Sequence, residues 1–142
     1  MPVTFVRFAT AAFGFLILGQ FFVGALLFYL LVGFSPHDVI EYYRIKSFHG
    51  LLETLIPHFL FMAIALMVTL HFLAFVQTKG NGEKVPLSHI LFGLFFLDQL
   101  SPVAIAQGLE SFAYLKIVSF VGFELVLGWV WIIIFSASLK SR

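Results

Sequence analysis

Four stretches of the chain are almost uninterruptedly apolar, from Phe5 to Phe34, Phe48 to Val76, His89 to Gln107 and Ala113 to Leu139, and the polar positions lie between them or stand singly inside them. A helix needs about 20 residues to cross a hydrocarbon core, so each stretch is long enough to span one. The linkers are short: Ser35–Lys46, Gln77–Ser88 and Gly108–Phe112. Connections of this length make consecutive spans antiparallel neighbours. The pattern therefore predicts an all-α, integral membrane four-helix bundle with up-down-up-down topology, residues 1–142 forming a single transmembrane domain. Ser35-Pro36 and Gly80-Asn81-Gly82 supply turn chemistry. Within the first linker, Val39, Tyr42, Tyr43 and Ile45 stand among charges, which predicts a short helix lying at the membrane surface and anchored by its tyrosines.

Composition agrees with this pattern. The chain is 61% hydrophobic and 11% charged, against about 25% charged residues in a soluble domain, so the lipid bilayer is its first partner. Cytoplasmic loops collect Lys and Arg. Arg7, Lys79, Lys84, Lys140 and Arg142 fall on one side and Arg44, Lys46 and Lys116 on the other, which places both termini in the cytoplasm. The first stretch is too long for the core of a cleaved signal peptide, and it is expected to persist as a span. The absence of cysteine removes disulfides, thiolate iron–sulfur ligation and covalent haem attachment. No glycine-rich phosphate loop, nucleophile elbow or internal repeat is present, and nothing basic enough to bind nucleic acid.

Against this background the ionisable residues inside the spans carry the information, since each costs about 2.5 kcal/mol or more to insert and normally faces a bundle interior. They are Glu53, His58, His71, Asp98 and Glu124, with His49 and His89 nearer the ends and Gln20 and Gln99 adding uncharged polarity. At about 100° per residue, Glu53 and His71 share one face of the second span, and His49 lies close to it. His58 falls on another face with Thr54, Met62, Ala65 and Thr69. Pro57 has no N–H for the carbonyl of Glu53, so a kink is expected just before His58.

Depth follows from counting ~1.5 Å per residue from the turns. His71 and His89 come out near the same, cytoplasmic surface; Gln20, His58, Asp98 and Glu124 come out near the midplane; His37 and His49 lie near the opposite surface with Tyr42, Tyr43 and Lys46. For His71 and His89 the chemical reading is bis-imidazole ligation of a b-type haem between antiparallel helices, with Ala74 and Gly93 leaving room for the porphyrin. His58 is a further candidate axial ligand, and the competing reading makes His89 a plain interfacial residue. For His58, Asp98 and Glu124 the readings are a metal site, a proton relay to a quinone, or a polar network that fixes helix pairing. Met62 and Met67 read as gap-fillers, and Trp129 and Trp131 as interfacial anchors.

Small four-span bundles with intramembrane histidines and no cysteine resemble the cytochrome b type membrane anchors of quinone-linked respiratory enzymes. The resemblance is one of architecture; the histidine and carboxylate placements themselves lead to the expectation of a haem b protein or oxidoreductase component passing electrons between quinone or quinol and a partner protein, with Glu53, Asp98 or Glu124 moving the coupled protons. Two other readings stay open: a metal-ion binding or transporting membrane protein, and a cofactor-free accessory subunit. Either fits a chain that assembles with other membrane subunits or as a homo-oligomer.

Overall fold

The computed structural model describes residues 3–75 and 84–140, and the Gly80-Asn81-Gly82 turn lies outside them. Among the described residues the chain is entirely helical: α1 Val3–Leu27 runs into a π-helical segment Phe28–Val32, followed by α2 Pro36–Arg44, α3 Phe48–Phe75, α4 Lys84–Ala106 and α5 Phe112–Lys140. Four of these helices are long and apolar enough to cross a membrane, over Arg7–Val32, Phe48–Phe75, Pro86–Ala106 and Phe112–Ser138. The expected all-α integral membrane bundle is therefore the observed fold. One boundary differs: the third span was expected to start at His89 but its helix begins at Lys84. Pro86 sits in the first turn, where its missing N–H costs nothing and its fixed φ suits a helix.

The π-helical segment ends where Gly33 donates its N–H to the carbonyl of Phe28 at 2.8 Å. Gly33 has φ 82 and ψ 166, a region of backbone space open essentially to glycine alone, and a Cβ there would stand 2.8 Å from a carboxylate oxygen of Asp38. The chain then turns into α2. Ser35 caps it by accepting the N–H of Asp38 at 3.1 Å, Pro36 follows at its first position, and Asp38 and Arg44 sit at the ends that suit the helix dipole. The surface helix foreseen in this linker exists, but its tyrosines divide. Tyr42 is half-buried, whereas Tyr43 joins Val39 in the core, because residues three and four apart share the face that α2 lays over α4 and α5.

Two apolar clusters hold the bundle. One joins Ile17, Leu66, Leu91, Phe95, Leu127 and Trp131 across α1, α3, α4 and α5; the other joins Phe28, Val39, Leu51, Ile105 and Ala113 beneath α2. α5 is the hub, touching α1, α3 and α4, with α4 as its main neighbour. Gly14 permits a close approach of α1, since a Cβ there would collide with the ring of Phe135 at 2.2 Å. The paired reading of the tryptophans is corrected: Trp129 is 58% exposed, as a lipid-facing anchor would be, but Trp131 is 1% exposed in the core. Residues two apart on a helix point about 200° apart, so both could not face out.

Candidate functional site

Between α1 and α3 the bundle holds a cavity of about 380 Å³. Its floor is α4 and α5, and its outer end is closed by Tyr42, Tyr43 and Lys46. Gln20, Val23, Leu27 and Leu31 from the first span and Thr54 and His58 from α3 line it and are all exposed, so it opens sideways, towards lipid. Taking water's ~30 Å³ as the unit, it has room for about a dozen non-hydrogen atoms.

The floor is organised by a proline. Pro102 lies inside α4 and has no N–H to give to the carbonyl four residues back, which is that of Asp98. Lys116 of α5 supplies the missing donor, its Nζ lying 3.1 Å from the Asp98 carbonyl oxygen. The same ammonium group donates to Asp98 Oδ1 at 2.6 Å, and Gln99 Nε2 donates to Asp98 Oδ2 at 2.9 Å. The aspartate and lysine side chains are only 9% and 7% exposed. An ion pair so far out of water persists only when its remaining hydrogen-bonding capacity is also used, and here one lysine meets both the carboxylate and the orphaned carbonyl. Its ammonium also lies 5.7 Å from the ring centre of Phe28 and 6.0 Å from that of Phe120, two rings stacked at 4.2 Å.

Tyr43 closes the floor from above. Burial pushes its hydroxyl well above the ordinary tyrosine range, and the negative charge of Asp98 and the neighbouring Tyr42 push the same way. Tyr42 accepts a hydrogen bond from Lys46 Nζ at 2.8 Å.

The walls are different. Gln20, His58 and Glu124 come from α1, α3 and α5 and line the same cavity. Gln20 Nε2 has only the sulfur of Met62, at 3.9 Å; among the described residues no hydrogen bond or ion pair is formed by His58 or Glu124. His58 lies ~15 Å from the start of α3 and Glu124 ~18 Å from the start of α5, well inside the hydrocarbon core. The space across from the glutamate is left by Gly24, whose absent Cβ would be 3.9 Å from Glu124 Oε1.

The midplane group of Gln20, His58, Asp98 and Glu124 is thus brought to one cavity. Glu53 is not: it pairs at 3.1 Å with His49, and both side chains are exposed, at 67% and 85%. His71 and His89 are exposed on α3 and α4 and neither lines the cavity; the His71 ring stands edge-on to Phe75 at 4.8 Å on its own helix. The metal reading of His58, Asp98 and Glu124 meets a different arrangement, for no group of three or more acidic or histidine side chains gathers at one point among the described residues, and Asp98 is engaged by Lys116. Lys116 enters the sequence reading only as one of the three cations on the side opposite the termini. Its signal was an Asp98-x-x-x-Pro102 spacing facing a lysine just inside the next apolar span.

No curated protein and no solved structure matches the chain. Residues 33–142, which hold α2 to α5 and every cavity residue except those of the first span, match the family Aq_1264_TM, described as a transmembrane helical domain. The chain belongs to that family.

Proposed function

We propose that this protein takes a quinone or quinol out of the bilayer into the cavity between α1 and α3 and exchanges protons with it, as the membrane component of a quinone-linked oxidoreductase. One observation carries the reading: Gln20, His58 and Glu124, from three helices, stand around a cavity open to lipid with no hydrogen-bonding partner among the described residues beyond a methionine sulfur. Polar groups left unpaired at that depth are costly, and a ligand head that both donates and accepts hydrogen bonds relieves all three. A quinone carbonyl accepts from imidazole or amide, and a quinol hydroxyl donates to a carboxylate, which is also placed to receive its proton. The apolar tail leaves between Leu27, Leu31 and Thr54.

Saturable binding of a short-tailed quinone to the full chain in lipid nanodiscs tests this. Gly24→Leu, which fills the cavity opposite Glu124, should abolish binding, while Gly19→Leu, on an open face with nothing within 4 Å, should not. Equal binding by the two variants sinks the proposal. A haem on His71 and His89 is a separate proposal: with both imidazoles exposed on the outer surface, an adjoining subunit or second copy would complete its pocket, and a reduced-minus-oxidised spectrum tests it. The orientation with both termini cytoplasmic belongs here as well. Removing the buried Lys116 from the count leaves five cations on the terminal side against Arg44 and Lys46 on the other, which strengthens the bias.

A further inference from the structure

We propose that the same cavity accepts hydrophobic organic cations, with Glu124 as counter-ion and the aromatic rings of its wall as the surface against which the cationic head rests. The inference rests on the cavity reading above and adds a second class of ligand to it. Four charged side chains line the cavity, Lys46, Asp98, Lys116 and Glu124. Asp98 and Lys116 neutralise each other at 2.6 Å. Lys46 sits at the outer end, hydrogen-bonded to Tyr42. Glu124 is left as a carboxyl group with no cation of its own among the described residues, deep in the hydrocarbon region. An acid in such surroundings gives up its proton when a cation takes the proton's place, and that cation must shed its water easily, which a tetra-substituted ammonium or phosphonium does and a metal ion does not.

The second observation is independent of the charge count. Phe21, Phe28, Phe120 and Phe123 all line the cavity, and ring faces attract cations within about 6 Å of their centres. The protein already uses them this way, since the Lys116 ammonium lies 5.7 Å and 6.0 Å from Phe28 and Phe120. The lateral mouth supplies the third element, because it admits a molecule with apolar substituents from the bilayer without passage through water.

Phenyltrimethylammonium, small enough for the cavity and carrying an apolar ring, is the probe, its binding to the full-length protein in detergent micelles read by equilibrium dialysis. Binding should be saturable, weakened about tenfold or more by Glu124→Gln and changed by less than about twofold by Glu53→Gln, whose ion pair is on the surface. Glu124→Asp, which keeps the charge, should retain binding. Absence of saturable binding by the wild-type chain, or equal binding by Glu124→Gln, overturns the inference; so does loss of binding in the aspartate variant while its quinone binding persists. The circular dichroism spectrum and thermal midpoint of Glu124→Gln should match those of the wild type, which confirms that this variant is folded. Quinone binding without cation binding in the wild type refutes this inference alone, and loss of both refutes the cavity reading too.

Discussion

Replacing Lys116 by methionine removes the ammonium while keeping most of the apolar stem. Two buried acceptors then lose their donor, the carboxylate of Asp98 and the backbone carbonyl that Pro102 leaves without an N–H. Breaking a buried pair by removing one partner costs about 3–5 kcal/mol, and this pair, at 7% and 9% exposure, qualifies. An orphaned carbonyl costs about 1–3 kcal/mol by itself, though the two losses overlap because one side chain serves both. The part owed to the carbonyl can be isolated with Pro102→Ala. In the wild type the alanine N–H finds its acceptor already served by Lys116, and the substitution simply loses packing from a fully buried ring. In Lys116→Met the same N–H restores the α4 hydrogen bond. The packing loss cancels in the cycle, and a favourable coupling of about 1 kcal/mol should remain. The assay is reversible denaturation in mixed detergent micelles followed by circular dichroism, on the wild type, both single variants and the double variant. Additivity within about 0.5 kcal/mol would refute the argument that the lysine answers the proline.

Three further outcomes are expected. Gly33→Ala should cost about 2 kcal/mol or more, from the glycine-only backbone region and the contact with Asp38, and an unchanged thermal midpoint would count against the described turn. In an alkaline absorbance titration Tyr43 should stay neutral where an unfolded tyrosine ionises, near pH 10; since its folded value is raised, stability should fall as pH rises through that value, and Tyr43→Phe should remove the late-ionising tyrosine and lessen the fall. Brominated acyl chains should quench Trp129, which is 58% exposed, and spare Trp131, which is 1% exposed, so Trp129→Phe should abolish the quenching and Trp131→Phe should preserve it.

The spans were legible because crossing a bilayer needs little more than apolar length, and the surface helix because Ser35, Pro36 and the spaced apolar residues announce it. The depth count singled out four polar residues that line one cavity, but it set Asp98 level with Glu124, and the lysine that meets Asp98 stands about two turns nearer the start of α5. Rotation was not legible. Glu53 and His71 are both exposed, and only packing decides this, as it decides that the face of His58 opens on the cavity. Counting cannot rank His71 and His89, whose equal depth says nothing of direction. Lys116 was missed because a cation in the first turns of a span serves an orientation count and is not weighed as a partner, and a flexible stem about 6 Å long lets a residue near the surface deliver its charge a turn deeper. Its partner was visible only to an argument that asks where the carbonyl opposite Pro102 finds a donor.

The π-helical segment at Phe28–Val32 has a consequence for how this protein can change. A π turn holds one residue more than the α-helix around it needs, so it works as an insertion stored in the first span. Deleting one residue there would let an unbroken α-helix form while the rest of the first span, Gly33 and α2 all kept their places. The same deletion a few turns earlier, in regular α-helix, would swing everything before it by about 100° around the helix axis, carrying side chains of the cavity wall away from their places. The π turn is thus the point at which the first span can change length while Gln20 and Gly24 stay on the cavity.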